Sequence, residues 1–214
     1  MQVKSKKRVQ EHGEVLTNER EVKAMLDLVK DHTYNKNSTF LEPACGNGNF
    51  LIEVLTRKLD AIFEESSKEQ KLLDRNVVIV FSSIYGVDLL ADNIQECKER
   101  LFKFFAEFYK TKCKFELSEE LKKSILFILD KNIQQGDALA MTNPNGEPII
   151  FAEWKPINGN KMIRTDYSYA ELLSNVEFGK NEVNLFSDTG KPVFTPKFIK
   201  KFNEMHYLKI WKYE

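Results

Sequence analysis

Apolar residues recur every three or four positions along most of this 214-residue chain, interrupted by short β-prone runs. Val22, Met25, Leu26 and Val29 form one stripe, so a helix is expected to about Lys30. Asn18 and Glu21 stand at capping-box spacing ahead of it. A polar loop follows from Asp31 to Ser38, then a short strand over 39–42. From Asn49 the period is helical again, with Leu51, Leu55, Leu59 and Ile62 on one face. Glu64 to Lys71 is a charged, helix-compatible insertion. Val77 to Phe81 reads either as a helix end or as an early part of the strand expected over 83–88. Leu90, Ile94, Cys97, Leu101, Phe104 or Phe105, and Phe108 then mark a long helix. The aromatics Phe102, Phe104, Phe105, Phe108 and Tyr109 sit at helical spacing, which fits core packing rather than a base-stacking platform.

Ser118 is placed to cap a helix running to Leu129. Residues 132–135 form a short strand closed by Gly136-Asp137. Asn143-Pro144-Asn145-Gly146 is a turn. A strand over 148–155 and another over 161–166 flank the hairpin signal Asn158-Gly159-Asn160. Residues 168–173 suggest a short helix. Tyr207-Leu208-Lys209-Ile210-Trp211 alternates as a final edge strand would.

Composition narrows the class. The length suits one domain. It divides into an N-terminal helical segment (1–36), a nucleotide-type core (37–155), and a hairpin with C-terminal extension (156–214) that completes the same domain. Net charge is zero, so no global basic field points to nucleic acid. Lys4, Lys6, Lys7 and Arg8, and Lys197, Lys200, Lys201, Lys209 and Lys212, read either as solvated termini or as phosphate contacts. Cys45, Cys97 and Cys113 have neither pairing nor metal spacing. An odd cysteine count without a signal peptide predicts a reducing, cytoplasmic setting. No apolar run reaches membrane-spanning length, so no membrane partner is expected.

The chemistry centres on Phe40-Leu41-Glu42-Pro43-Ala44-Cys45-Gly46-Asn47-Gly48-Asn49-Phe50. Strand, glycine turn and helix is how an open α/β sheet builds a nucleotide-type site. The spacing is not Gly-x-Gly-x-x-Gly, and there is no Lys-Ser/Thr for a triphosphate. An acid at the strand end suits a cationic or hydroxyl-bearing ligand better than a pyrophosphate. Glu42, Asp88 and Asp137 end three successive expected strands. A doubly wound sheet would bring all three to one crevice as a nucleoside-type site.

These residues resemble S-adenosylmethionine (SAM)-dependent methyltransferases, in the form found in adenine-specific DNA methyltransferases of restriction–modification systems. Glu42–Phe50 looks like the first motif. Ile84-Tyr85-Gly86-Val87-Asp88 looks like the second strand, and Gln135-Gly136-Asp137-Ala138-Leu139 like the third. His12-Gly13-Glu14-Val15-Leu16-Thr17 is similar to the Gly-x-Phe-Phe/Tyr-Thr-Pro segment, with Leu16 for the aromatic and Asn18 for the proline. The resemblance covers about residues 10 to 140. It implies an α/β, Rossmann-like methyltransferase fold with a mostly parallel doubly wound sheet, trimmed in its C-terminal half. It implies SAM as cofactor and DNA as partner, with a specificity or nuclease subunit as a further partner. SAM would lie against Thr17, Glu42, Pro43, Ala44, Cys45, Gly46, Asn47, Gly48, Asn49, Phe50, Asp88, Leu89, Asp137 and Ala138. Asp88 would take the ribose, Asp137 the adenine amine, and Glu42 with its glycine turn the methionine end.

The Asn/Asp-Pro-Pro-Tyr/Phe motif of those enzymes is missing, so catalytic residues are unassigned. Asn143-Pro144-Asn145-Gly146 comes too soon after Asp137 to replace it. Trp154 can be a base-stacking residue and Glu153 an acceptor for the amine; a core tryptophan on a half-buried strand explains the same pattern. The leading expectation is methyl transfer from SAM to the exocyclic amine of adenine in DNA. The alternative is a non-catalytic SAM-binding subunit or regulator of a restriction–modification or phage-linked system. Methylation of RNA, protein or a small molecule is a third reading.

Overall fold

A computed structural model describes residues 6–12, 17–66, 68–177 and 197–213. Residues 13–16, on which most of the segment before the first motif falls, lie outside this description. The described elements run α1 (Lys6–His12), α2 (Glu19–Asp27), α3 (Lys30–Thr33), β1 (Phe40–Glu42), α4 (Asn49–Ser66), α5 (Gln70–Ser82), β2 (Ile84–Asp88), α6 (Ala91–Lys112), α7 (Glu119–Asn132), β3 (Ile133–Gln135), β4 (Ile150–Pro156), β5 (Lys161–Ser168), α8 (Tyr169–Glu177), β6 (Lys200–Lys201) and β7 (Met205–His206). A 3-10 helix, Tyr207–Lys212, follows.

The protein is mixed α/β. β1, β2 and β3 form a parallel sheet in that order, with β2 in the middle. β4 and β5 form an antiparallel hairpin, and β6 and β7 both pair with β5. The expectation of a mostly parallel sheet therefore holds for β1–β3 only. The reason is the connection at Asn158-Gly159-Asn160. Gly159 has φ of 75°, and Ile157 N–H donates to Lys161 C=O (3.0 Å). A link that short can join only antiparallel neighbours, because a parallel pair needs a crossover of a dozen residues or more.

β2 explains how the parallel sheet is buried on both faces. Ile84 points into the main core with the apolar faces of α4, α6 and α7. Tyr85 and Val87 point the other way, onto Ile149, Phe151 and Tyr169. The Tyr85 hydroxyl donates to Ala152 C=O (2.8 Å), tying β2 to β4. Leu51, Leu55, Leu59 and Ile62 of α4 are all buried, as their spacing requires.

Two segments resolve differently from their local pattern. Val77–Phe81 is the last part of α5, not a strand. Its flanks are α4, α7 and β4, and Leu73, Val77, Val78, Val80 and Phe81 are all buried. A helix enclosed on every side shows a continuous apolar run, which periodicity cannot separate from a buried strand. Tyr207–Trp211 is a 3-10 turn instead of an edge strand. Tyr207 and Ile210 are the buried pair, three residues apart, and i and i+3 eclipse in a 3-10 helix. His206 Nδ1 accepts from Leu208 N–H (3.2 Å) and caps it. Within the polar loop expected over 31–38, Lys30–Thr33 is a short helix.

Lys58 is the least expected core residue. It is fully buried on α4, at the end of the sheet away from the strand carboxyl ends. Its Nζ donates to Ser38 C=O and to Ser83 Oγ (2.6 Å). Burial pushes its pKa down to about 7 from an ordinary 10.5. An unfolded lysine keeps its proton through that interval while the folded one loses it. The unfolded chain then binds more protons, so stability should rise with pH from about 7 to about 10.5. Urea unfolding at pH 7 and pH 9.5 should show this gain in the native protein and its loss in Lys58→Met.

Candidate functional site

The carboxyl ends of β1, β2 and β3 open onto one cavity of about 480 Å³. Of the residues expected at a ligand site, Thr17, Glu42, Pro43, Ala44, Cys45, Gly46, Asn47, Asn49, Phe50, Asp88, Leu89, Asp137 and Ala138 line it. Gly48 is behind the wall, where an added Cβ would sit 2.7 Å from Cys97 Sγ. Glu42, Asp88 and Asp137 thus face the same space from three neighbouring strand ends.

The loop 43–48 takes its shape from its own sequence. Cys45 N–H donates to Val87 C=O (2.8 Å), and Gly48 N–H donates to Cys45 C=O (2.8 Å). The second bond closes a turn that needs left-handed backbone: Gly46 has φ of 51° and Gly48 of 91°. Glycine adopts these angles at little steric cost. Two residues of α6 hold the loop from outside. Arg100 donates to Asn47 C=O (2.6 Å) and Asn49 Oδ1 (3.0 Å), and Glu96 accepts from Asn47 Nδ2 (2.8 Å). Asn49 Nδ2 in turn donates to Thr17 C=O (2.9 Å), which places Thr17 at the rim.

Asp88 is both wall and brace. Its Oδ2 accepts from Gly46 N–H (3.0 Å), and its Oδ1 from Leu90 N–H (2.9 Å) and Asn93 Nδ2 (3.0 Å). An ionised carboxylate offers about four acceptor positions. Three protein bonds therefore leave room on Oδ2 for one further donor. Asp137 Oδ1 accepts from Leu139 and Ala140 N–H (2.8 and 3.0 Å), shaping the loop after β3. Gly136 is needed there by close approach: a Cβ would meet Ile149 Cδ1 and Thr142 O at 2.6 Å. Met141, with φ of 59°, takes the strain of the same loop.

Electrostatically the cavity is acidic. No lysine or arginine among the described residues lines it. Burial pushes the Glu42 carboxyl up, opposed by a hydrogen bond from Ala44 N–H (3.2 Å). The Cys45 thiol is held far above its ordinary range, first by hydrogen bonding with Cys97 and then by burial.

Leu90, Asn93, Gly136 and Leu139 also line the cavity and were missed. One signal was present: Asn93, Glu96 and Arg100 recur at helical spacing, a polar stripe on α6 beside its apolar one. α1 reaches the same edge, where Arg8 bonds Asp92 and Asn93 Oδ1 (3.1 Å).

Trp154 is outside the cavity. It is buried in the main core, its Nε1 donates to Asn132 Oδ1 (3.0 Å), and Phe127 packs edge-on at 6.0 Å. Glu153 is exposed on the opposite face of β4. Asn143-Pro144-Asn145-Gly146 is an exposed turn closed by Gly146 N–H to Asn143 C=O (2.9 Å). Trp154→Ala should therefore cost about 3–5 kcal/mol of stability, as large-to-small core changes do, in a urea titration. No protein-family model matches the chain, and neither a curated protein nor a solved structure matches it.

Proposed function

We propose that this cavity binds SAM on a Rossmann-like methyltransferase fold, and that the chain serves methylation of the adenine amine in DNA. One observation carries the reading: three carboxylates converge from successive parallel strand ends, with no lysine or arginine among the described residues lining the space. A diphosphate there would meet three like charges unpaired, whereas a sulfonium and an ammonium would be attracted. The cavity volume lies in the range of small-molecule sites.

The donor set fits the cofactor. Asp88 Oδ2 has one acceptor position for a ribose hydroxyl. The exposed side chains of Leu89 and Leu139 stand at the rim as apolar surfaces for a base. Asp137 is placed to accept from an exocyclic amine. Bound SAM supplies an electrophilic methyl group. This chain's residues bind and orient it and favour positive charge around it.

A second reading draws on Trp154 and Glu153. With neither in the cavity, no described residue replaces the missing Asn-Pro-Pro-Tyr/Phe groups that hold a target amine. This favours a SAM-binding subunit whose partner supplies them. The separating experiment is transfer of radiolabelled methyl from SAM to unmethylated DNA by the purified chain. Label in adenine supports an enzyme. No label, in a sample that retains SAM, supports the binding subunit. Label in neither DNA nor protein-bound SAM contradicts both.

A further inference from the structure

The C-terminal lysines have no part in the cavity. Residues 197–213 hold five of them, Lys197, Lys200, Lys201, Lys209 and Lys212, against one acid, Glu204. All five are exposed, and Glu204 is ion-paired with Lys161. The chain as a whole is neutral, so its charge is segregated: carboxylates gather in the cavity and lysines along this segment.

The fold sets the lysines in a row. β6 pairs with Thr165 and Asp166, and β7 with Lys161 and Met162. The segment therefore follows one edge of β5 for about 17 Å, at about 3.4 Å per residue. The 3-10 helix continues past the hairpin turn, where Tyr207 N–H donates to Asn160 C=O (2.9 Å). There Lys123 of α7 and Lys212 both lie over the Trp211 ring, 4.8 and 5.2 Å from its centre. The other end of the row leads toward the cavity. Lys197 N–H donates to Glu171 of α8 (2.7 Å), and Tyr169 at the start of α8 packs in one cluster with Ala138, which lines the cavity.

Protection of a sheet edge explains part of this, because lysines on an edge strand discourage pairing with another chain. That accounts for Lys200 and Lys201. It does not account for Lys209 and Lys212 on a helical turn, nor for Phe198 and Ile199, which stand 54% and 57% exposed between Lys197 and Lys200. Lysines in line, with an exposed ring among them, suit a linear polyanion that carries flat bases. A nucleic-acid strand presents a phosphate about every 3.4 Å of helix axis, so the row along β5 spans roughly five of them. Binding to a membrane surface calls for a broad apolar face, which two side chains do not make.

We infer that the outer edge of β5, with the 3-10 helix beyond it, binds the phosphate backbone of DNA. The choice of DNA over RNA rests on the proposed function; a nucleic acid as partner follows from charge and spacing.

The test is fluorescence anisotropy of the full chain with a labelled duplex of about 20 base pairs across a salt series. Each phosphate contact contributes about 0.9 to the slope of log affinity against log salt, or roughly 5-fold in affinity near 0.15 M. Lys201→Gln, Lys209→Gln and Lys212→Gln combined should lower the slope by about 2.5–3 and weaken binding roughly 100-fold. Melting temperature and SAM affinity should stay unchanged, because all three residues are exposed and outside the cavity. Lys103→Gln, Lys110→Gln and Lys114→Gln combined, at exposed positions on α6 and just after it, change the net charge equally and should leave the slope unchanged. Equal losses in the two triple variants, or an unchanged slope in the first, overturn the inference while leaving DNA as a partner intact. A native chain that binds no duplex at low salt overturns both. Binding to phosphatidylserine vesicles in place of DNA assigns the surface to lipid and overturns the inference as well.

Discussion

Asp88→Ala should lower SAM affinity about 100-fold or more and also reduce stability by about 2–4 kcal/mol. The affinity loss has two parts: the remaining acceptor position on Oδ2 disappears, and the loop that forms the floor of the site is released. The stability loss follows from the three donors that Asp88 satisfies, Gly46 N–H, Leu90 N–H and Asn93 Nδ2. Hydrogen bonds to a charged group contribute about 1.5–3 kcal/mol each, and water reaching the opened loop recovers part of that. For a chain of this length the change corresponds to a melting point lower by roughly 5–15 °C. Thermal melts and SAM titrations on the same samples check both halves. Sequence alone suggested a ribose contact and not the brace. A variant with native stability would show that the brace does not hold the loop.

Gly48→Ala carries the second large effect. An alanine Cβ would stand 2.7 Å from Cys97 Sγ, and φ of 91° is a region that side chains rarely adopt. Strain of that kind costs about 1–3 kcal/mol, and overpacking adds about 1–3 kcal/mol. Chemical denaturation should show a combined loss of about 2–6 kcal/mol, with SAM binding weakened as the turn distorts. Cys97→Ala in the same chain removes the clash but not the backbone strain. The double variant should recover only the overpacking part, a coupling of about 1–3 kcal/mol in a double-mutant cycle. Full recovery would place the whole cost in packing; none would place it in the backbone.

The parts of the fold that were legible are those whose pattern repeats locally. α4 carries an apolar stripe at helical spacing, and Leu51, Leu55, Leu59 and Ile62 announce it, though the burial of Lys58 beside them does not show in that pattern. The hairpin of β4 and β5 is announced by its turn. Glu42, Asp88 and Asp137 can be read as strand-end acids because each follows a β-prone run. What failed depends on contacts remote in sequence. Val77–Phe81 is β-prone locally and helical because three elements enclose it. Tyr207–Trp211 alternates, yet its burial follows a period of three. The second duty of Asp88 was hidden because its partner Gly46 lies 42 residues away. Trp154 was ambiguous for the same reason: contacts with Asn132, Phe127 and Tyr213 place it in the core.

The cavity's charge also gives the account its sharpest selectivity. Three carboxylates favour a cation and oppose phosphates, and this difference should survive at physiological salt because the groups are partly buried.

The decisive measurement is a calorimetric titration of the full chain with SAM, NAD and ATP under identical conditions. The account predicts saturable one-to-one binding of SAM, with neither phosphate-bearing nucleotide competing at tenfold higher concentration. Binding of NAD or ATP in preference to SAM would contradict it, because the acid-lined cavity would then not be selecting a cation.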